Sequence, residues 1–338
     1  MNSFIQEVIT QGSLISQVSE YYRTDGLPKI VSISDVFKQK RMKKVIITGM
    51  GSSLYAADSV LSYLTAHGIP ALAYSAHALS RYQFQQIDEQ TLVIAISQSG
   101  RSGEVIELVK KACLVTTVVG ITNHEDRELS HRVDLSLGLR AGLELSITSK
   151  TYELTMLILN ILARELTGEL TASFWENINS LASWISGWMD QWQTNSQPLF
   201  EFANDVLLFD LLANDTSLAT AKQLSLAYRE GLHNCTAVWE CADYAHGQYH
   251  SSKLGKSYLA QMFIPVFETD TKEEKMLNYI LDHDGRVMLY TTTPIPSRNS
   301  LFVVPLPRFE NSLMPLIESP VAETMLGQLF GASWVKDH

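Results

Sequence analysis

Short apolar runs rich in β-branched residues alternate with helical segments along the first half of this chain. The runs are KVIITGM (Lys44–Met50), ALAYS (Ala71–Ser75), TLVIAIS (Thr91–Ser97), TTVVGIT (Thr116–Thr122) and VDLSLGL (Val133–Leu139). Continuous apolar strands of this length, separated by helices, are typical of βαβ units, in which helices cover both faces of a parallel sheet. The sequence therefore predicts an α/β fold.

The same alternation returns in the second half of the chain. Strand-like runs lie at Val206–Leu212, Ser257–Phe267, Arg286–Thr292 and Ser300–Pro307, and helices are expected at Ser217–Tyr228 and Leu313–Phe330. Two lobes of similar size with the same rhythm suggest a duplicated unit. The predicted organisation is an N-terminal helical segment (1–42), a first domain (43–168), a connecting helix (169–198) and a second domain (199–338).

Composition and charge exclude several classes of protein. Hydrophobic residues make up 46% of the 338 residues and charged residues 18%, so the chain can bury a core and is not of the disordered class. The formal net charge of −10 argues against a general nucleic-acid-binding protein. A local anion site remains compatible with this charge, because backbone N–H groups bind phosphate without side-chain charge.

The sequence favours a cytoplasmic protein without a membrane partner. Its three cysteines form no CxxC pair, which fits a reducing compartment. The first residues lack the basic start and apolar run of a signal peptide. The longest apolar stretch, Thr155–Ala163, is far shorter than the about 20 residues that cross a bilayer.

A glycine turn, GMGSS (Gly49–Ser53), lies between the first strand and the helix after it. The glycines allow a tight turn, and the hydroxyls of Ser52 and Ser53 would face an anion at the positive end of that helix. A dinucleotide site of the Rossmann type needs a third glycine where this chain has Leu54, and an acidic residue about 20 positions further on. We therefore expect an anion site here and not a nicotinamide site.

A second polar turn, SQSGRSGE (Ser97–Glu104), follows the third strand and precedes another helix. Its three serines, at positions 97, 99 and 102, offer a phosphate cradle without basic charge. The alternative is an ordinary turn in which Ser102 caps the helix. Two such turns at the carboxyl ends of strands in one sheet favour a ligand site, because open α/β sheets bind ligands there.

Glu230 and His246, sixteen residues apart, pair a carboxylate with an imidazole, the groups most used to move protons at neutral pH. Spacing alone makes this a weak signal. His246 and His250 have the spacing of a zinc-binding helix, but Gly247 stands where such a helix carries its glutamate. We therefore expect no metal site.

Four segments together resemble the tandem SIS (sugar isomerase) domain family. In chain order they are GMGSS (Gly49–Ser53), SQSGRSGE (Ser97–Glu104), AGLELSITSKTYELT (Ala141–Thr155) and REGLHNCTAVWECADYAHGQ (Arg229–Gln248). The family includes the isomerase half of glucosamine-6-phosphate synthase and the phospho-Amadori (fructosamine 6-phosphate) deglycases. The resemblance covers about residues 40–330 and implies two tandem SIS domains, each a mainly parallel five-stranded sheet flanked by helices in a flavodoxin-like three-layer sandwich.

The resemblance also implies roles for individual residues. Ser52 and Ser53 match the first sugar-phosphate loop of the family. Glu230 matches the acid that moves a proton between C1 and C2, and His246 matches the residue that opens the sugar ring. The residues that match the main phosphate cradle are Ser97, Gln98, Ser99 and Ser102. Because these steps are proton transfers, no cofactor is expected.

Several positions depart from the family pattern. Gln248 follows His246-Gly247 where the family has proline, and the segment before Lys150 is one residue shorter than in the family. The only lysine near the chain end, Lys336, lacks the family's Schiff-base context, so we expect a solvated tail lysine. The turn ANDTS (Ala213–Ser217) contains no glycine, so no phosphate site is expected in the second lobe.

The expected function is that of a phosphosugar isomerase-type enzyme acting on an amino-sugar 6-phosphate or a fructosamine 6-phosphate. Isomerase, deaminase and deglycase activities remain open. With no glutaminase domain ahead of the matched region, a glutamine-dependent synthase is not expected. The family implies a homodimer with shared active sites that binds a small-molecule sugar phosphate. The alternative is a phosphosugar-binding sensor without turnover, which the altered His-Gly-Gln segment favours.

Overall fold

The computed structural model describes residues 1–331, so Lys336 lies outside the described residues. The chain divides into two compact units that are both discontinuous in sequence. The first lobe comprises Thr10–Glu144 and Thr148–Trp184, and the second comprises Met1–Ile9, Leu145–Ile147 and the chain from Ile185 onward. The domain bounds drawn from the sequence stay a prediction.

The α-helices account for about half of the described chain. In chain order they are α1 (Ser3–Val8), α2 (Gln11–Arg23), α3 (Leu27–Gln39), α4 (Ser52–Tyr55), α5 (Asp58–Ala66), α6 (Ala76–Tyr82), α7 (Gly103–Ala112), α8 (Glu128–Arg132), α9 (Lys150–Thr167), α10 (Ala172–Asp190), α11 (Trp192–Ala203), α12 (Leu218–Leu232), α13 (Cys241–Tyr244), α14 (Lys272–Asp282) and α15 (Pro315–Phe330). No helix among these is long and apolar enough to cross a membrane.

The first lobe is built on a parallel five-stranded sheet. Its strands are β1 (Lys44–Gly49), β2 (Ala71–Ser75), β3 (Thr91–Ile96), β4 (Val118–Thr122) and β5 (Leu135–Gly138), in the order β2-β1-β3-β4-β5. Strand β3 is buried along its whole length, which explains why its sequence is apolar without alternation. On one face, Val93 and Ala95 of β3 share a core with Leu108 and Val109 of α7.

The second lobe repeats this architecture. Its strands are β6 (Leu208–Ala213), β7 (Thr236–Glu240), β8 (Tyr258–Phe263), β9 (Arg286–Thr291) and β10 (Leu301–Pro305), in the order β10-β9-β8-β6-β7, and every pairing is parallel. In both sheets the first strand of the lobe lies between its second and third. The predicted fold of two mainly parallel five-stranded sheets flanked by helices is confirmed.

Several elements differ from the sequence prediction, among them β7, α14 and the connecting segment. Strand β7 and helix α14 were not singled out, and the segment expected to form one connecting helix contains two, α10 and α11. Strand β7 lies at a sheet edge and is only partly buried, so its short run lacks the continuous apolar pattern of an interior strand. Between α10 and α11 the break falls at Gln191, where the sequence offers neither glycine nor proline.

Candidate active site

The two serine turns of the first lobe lie at the point where the strand order reverses. Strand β2 is added on one side of β1 and β3 on the other, so the turns after β1 and β3 flank the crevice where open α/β sheets bind ligands. The register pairs Thr48 of β1 with Ala95 of β3. A Cβ atom at Gly49 would lie only 3.1 Å from the carbonyl oxygen of Ile96, so the bases of the two turns are adjacent.

The turn after β1 presents two hydroxyls that no protein group occupies. Gly51 has φ 53° and ψ −130°, a conformation that favours glycine, and it directs the chain into α4. Ser52 and Ser53 are both partly exposed at the start of this helix. Within residues 1–331 their hydroxyls have no hydrogen-bond partner, so they remain available to a ligand.

The turn after β3 is a preformed loop that we call the cradle, residues 97–102. Ser97 is buried, and its hydroxyl lies 2.9 Å from that of Ser102 and accepts the Ser102 backbone N–H at 3.4 Å. Gly100 has φ 65° and its N–H donates to the Ser97 carbonyl oxygen at 3.0 Å. The Ser99 hydroxyl is exposed and accepts the Arg101 N–H at 3.3 Å.

The cradle opens onto the N-terminus of α7, a helix of ten residues. Ser102 occupies the N-cap position, as in the alternative interpretation of this turn, but its hydroxyl makes no capping bond. The backbone N–H groups of Gly103 and Glu104 therefore have no acceptor within the described part of the chain. Unpaired N–H groups and the helix dipole make such an end attractive to an anion, and the serine hydroxyls add donors beside it.

Strand β4 holds the cradle in shape through two residues that the sequence analysis did not single out. The N–H of Asn123 and the hydroxyl of Thr122 both donate to the carbonyl oxygen of Gln98, at 3.1 and 3.3 Å. The Asn123 side chain accepts the Ala141 N–H at 3.0 Å and donates to the Gly142 carbonyl oxygen at 2.7 Å. Both residues sit at the carboxyl end of a strand, and that position was the signal that could have identified them.

The segment around Lys150 is organised by a carboxylate. Glu144 accepts the backbone N–H groups of Ser149 and Thr151, at 3.1 and 3.0 Å, and the Thr151 hydroxyl at 2.5 Å. Lys150 is buried, and its Nζ donates to the Leu143 carbonyl oxygen at 2.6 Å. A lysine engaged in this way holds the loop closed, which is a structural task.

Glu230 and His246 both lie in the second lobe. Glu230 is exposed in the last turn of α12, which ends at His233 with φ 53°. His246 is exposed just after α13, and its N–H donates to the Asp243 carbonyl oxygen at 2.9 Å. Gly247, the next residue, has φ 118° and so needs glycine. Both side chains are thus open to solvent, as proton-transfer groups must be to reach a substrate.

The corresponding turn of the second lobe has no free hydroxyls. The Thr216 hydroxyl donates to the Asn311 carbonyl oxygen at 2.7 Å, and the Ser217 hydroxyl donates to Glu318 at 2.8 Å. Asp215, with φ 51°, occupies the position where the first lobe has a glycine turn. A small cavity of about 150 Å³ beside it is also lined by Phe263 and Pro265. The bonded hydroxyls and the carboxylate disfavour phosphate.

No group of three or more His, Cys, Asp or Glu side chains within residues 1–331 is arranged to hold a metal ion. The histidines His246 and His250 therefore do not form part of such a group.

Comparison of the sequence with known proteins shows which family and which proteins this chain is similar to. Residues 39–163 match the family model described as SIS domain. The glutamine–fructose-6-phosphate aminotransferase (isomerizing) of Pyrococcus horikoshii is 36% identical over 166 residues, 48% of this chain and 27% of that protein. This chain thus covers about a quarter of the length of the curated relatives it matches.

Solved structures share the fold over nearly the whole chain. The C-terminal domain of glucosamine-fructose-6-phosphate aminotransferase from Francisella tularensis superposes with a TM-score of 0.85 at 17% identity, covering 99% of this chain and 98% of that one. Glucosamine-6-phosphate deaminase from Thermotoga maritima superposes with a TM-score of 0.70 at 17% identity, covering 97% and 94%. At these identities the likeness concerns the fold alone.

Proposed function

We propose that this protein, whose residues 39–163 are a SIS domain, is a phosphosugar isomerase-type enzyme acting on an amino-sugar 6-phosphate or a fructosamine 6-phosphate. One observation carries the proposal. The cradle brings the Ser97 and Ser102 hydroxyls to the N-terminus of α7, next to the hydroxyls of Ser52 and Ser53, which are unbonded within residues 1–331.

The cradle suits the phosphate of a sugar better than a nucleotide. It offers neutral donors in a fixed loop, and the neighbouring turn after β1 has Leu54 where a dinucleotide site has its third glycine. Binding energy gained at a remote phosphate can hold the open-chain sugar against a catalytic base. Two solved structures with this fold have names that specify fructose 6-phosphate and glucosamine 6-phosphate, which are compounds of this class.

In the proposed mechanism His246 opens the sugar ring and Glu230 carries the proton between C1 and C2. Ring opening needs an acid–base group near the ring oxygen, and imidazole suits this at neutral pH. Moving a carbonyl from one carbon to the next needs one base that reaches both carbons through an enediol or enaminol, and a carboxylate can do so. We further propose a cytoplasmic homodimer with active sites shared between subunits.

The test uses exchange of the hydrogen next to the carbonyl carbon of the substrate, which is on C1 in a ketose and on C2 in an aldose. Wild type and Glu230→Gln are incubated in deuterium oxide with fructose 6-phosphate, glucosamine 6-phosphate and a fructose–amino-acid 6-phosphate. Deuterium at C1 of the two ketoses and at C2 of glucosamine 6-phosphate is followed by NMR. Wild type should exchange with at least one of these compounds, whereas Glu230→Gln should exchange at least about 100-fold more slowly. Both proteins should be stabilised equally by that compound in thermal unfolding, because the cradle is intact in each.

A matched control and the product assay decide between outcomes. Glu268→Gln changes an exposed glutamate of the same lobe and should behave as wild type. Full exchange in Glu230→Gln would remove Glu230 from the mechanism. Stabilisation without turnover of any compound would favour the phosphosugar sensor. Equal stabilisation by phosphorylated and unphosphorylated sugars would show that the cradle does not bind the phosphate. Release of ammonia or of an amino acid identifies a deaminase or a deglycase.

A further inference from the structure

A buried carboxylate lies on an interior strand of the second sheet, where parallel strands are normally apolar. Asp210 is 3% exposed at the centre of β6. Its Oδ2 accepts the hydroxyl of Tyr258, on β8, at 2.9 Å, and the Tyr258 hydroxyl lies 2.5 Å from that of Tyr244, on α13. The side chain of Trp239, on β7, also lowers the pKa of Asp210. We call these four residues the Asp210 chain.

With Asp210 ionised, the hydrogen bonds of the Asp210 chain have one consistent direction. The indole N–H of Trp239 can only donate. Tyr258 donates its single hydroxyl hydrogen to Asp210, so the Tyr258 oxygen must accept a hydrogen bond from the Tyr244 hydroxyl. Burial raises the pKa of Asp210, while the bonds from Tyr258 and Trp239 lower it. Every donor thus points towards Asp210. The Tyr244 ring is held in place because its hydroxyl is linked through Tyr258 to the Asp210 carboxylate.

The Asp210 chain leads directly to the segment that carries His246. Tyr244 is fully buried and ends α13, while His246, two residues later, is exposed. The other end of α13 is held by the Cys241 N–H, which donates to the Asn214 side chain at 3.1 Å. His246 follows both anchors in the chain, and its backbone N–H donates to the Asp243 carbonyl oxygen at 2.9 Å. The Tyr244 hydroxyl is therefore the nearest deep anchor of His246.

An apolar residue at position 210 would pack in this sheet without the cost of burying a carboxylate. A fully bonded polar chain, in contrast, fixes one arrangement of the elements it joins, because each member lost leaves another unpaired. The Asp210 chain joins β6, β7, β8 and α13. The free energy that it costs to bury the Asp210 carboxylate is thus offset, because the chain fixes the turn after α13 in one position on the sheet.

We propose that Asp210 is a positioning residue for His246, acting through Tyr258 and Tyr244 to hold the imidazole where it opens the sugar ring. The inference rests on the proposed function. In this proposal, ring opening requires the hydroxyls of Tyr258 and Tyr244, although these hydroxyls do not touch the substrate.

Ring opening can be measured apart from the full reaction as exchange between the anomers of glucosamine 6-phosphate, followed by NMR magnetisation transfer. Tyr244→Phe and Tyr258→Phe remove only a hydroxyl, and each should slow enzyme-catalysed anomer exchange at least about tenfold, approaching His246→Gln. Asp210→Asn should act in the same direction. Thermal stabilisation by glucosamine 6-phosphate should stay as in wild type, because the cradle residues are unchanged.

The matched control is Tyr290→Phe, which removes a buried phenol hydroxyl of the same sheet that bonds to Met288 and not to α13. It should retain anomer exchange within about twofold. A second readout is the imidazole Hε1 resonance of His246, assigned with His246→Gln. It should shift or broaden in Tyr244→Phe and Tyr258→Phe and stay in place in Tyr290→Phe.

The two readouts separate this inference from the proposed function. If wild type does not accelerate anomer exchange, the ring-opening role of His246 is wrong, and the His246 resonance alone then tests the positioning. If wild type accelerates the exchange and folded Tyr244→Phe and Tyr258→Phe do so equally, Asp210 does not position His246. An unchanged His246 resonance in both variants overturns the inference in either case.

Discussion

Gly100 is the residue on which the shape of the cradle depends most directly. Its φ of 65° costs a residue with a side chain about 1–2 kcal/mol, and an added Cβ would lie 2.8 Å from the Arg127 Cβ and 3.1 Å from the Thr122 hydroxyl. Gly100→Ala should therefore displace the loop from β4 and weaken binding of glucosamine 6-phosphate at least about tenfold, as measured by calorimetry.

Gly168→Ala separates backbone strain from the loss of the site. Gly168 ends α9 with φ 79°, and an added Cβ would meet no atom within 4 Å. This variant should lose about 1 kcal/mol of unfolding free energy and keep wild-type affinity. Equal affinity in Gly100→Ala and Gly168→Ala would show that the ligand does not use the cradle.

At the residue scale, the sequence predicted which hydroxyls lie at helix starts better than it predicted which of them are free to bind a ligand. Ser97 and Ser102 were identified as hydroxyls at a helix start, and the structure does place them there together. Thr216 and Ser217 follow a strand in the same way, yet their hydroxyls are bonded to Asn311 and Glu318, which lie about 95–100 residues further along the chain. Only the folded chain shows which hydroxyls are already used.

At the scale of elements, a buried carboxylate joins α15 to the start of α12. Glu318 is fully buried and accepts the hydroxyls of Ser217 and Thr220 at 2.8 and 2.9 Å. Burial raises its pKa from 4.5 to about 7, although these two bonds oppose the shift. Between pH 4.5 and 7 the folded state thus holds a proton that the unfolded chain releases, so stability falls as pH rises, by about 3 kcal/mol in all.

Glu318→Gln should remove this dependence. Relative to wild type, the unfolding free energy of the variant should gain steadily from pH 4.5 to 7 and then run parallel to it, as measured by urea denaturation at a series of pH values. Glu268→Gln, an exposed change, should leave the wild-type profile intact. A Glu318→Gln profile parallel to that of wild type across this window would contradict the assignment.

Elements with a continuous apolar pattern were predictable, and elements shaped by their neighbours were not. The interior strands β1, β3 and β4 lie within the predicted runs because burial on both faces demands such sequences. Edge strand β7 is half-buried, and nothing local in the chain marks the break between α10 and α11. Such features follow from packing, which a single sequence does not display.

On the scale of the whole molecule, two lobes share one topology but differ in what they offer a ligand. Both sheets place their first and third strands side by side, so each has a crevice at the same topological point. In the first lobe the Gly103 and Glu104 N–H groups and the Ser52 and Ser53 hydroxyls are unbonded within the described chain. In the second lobe the equivalent hydroxyls are bonded, and Asp215 adds a negative charge.

Hydrogen exchange followed by mass spectrometry should therefore show a one-sided response to glucosamine 6-phosphate. A bound phosphate accepts hydrogen bonds from free backbone N–H groups. It stabilises only the folded state that binds it, by about 2.7 kcal/mol at a ligand concentration of 100 Kd. Peptides spanning 97–106 and 49–55 should exchange more slowly, whereas peptides spanning 213–220 should not change. Unphosphorylated glucosamine should protect neither region. Equal protection of both crevices would mean that the topology, and not the serine turns, sets where the sugar phosphate binds.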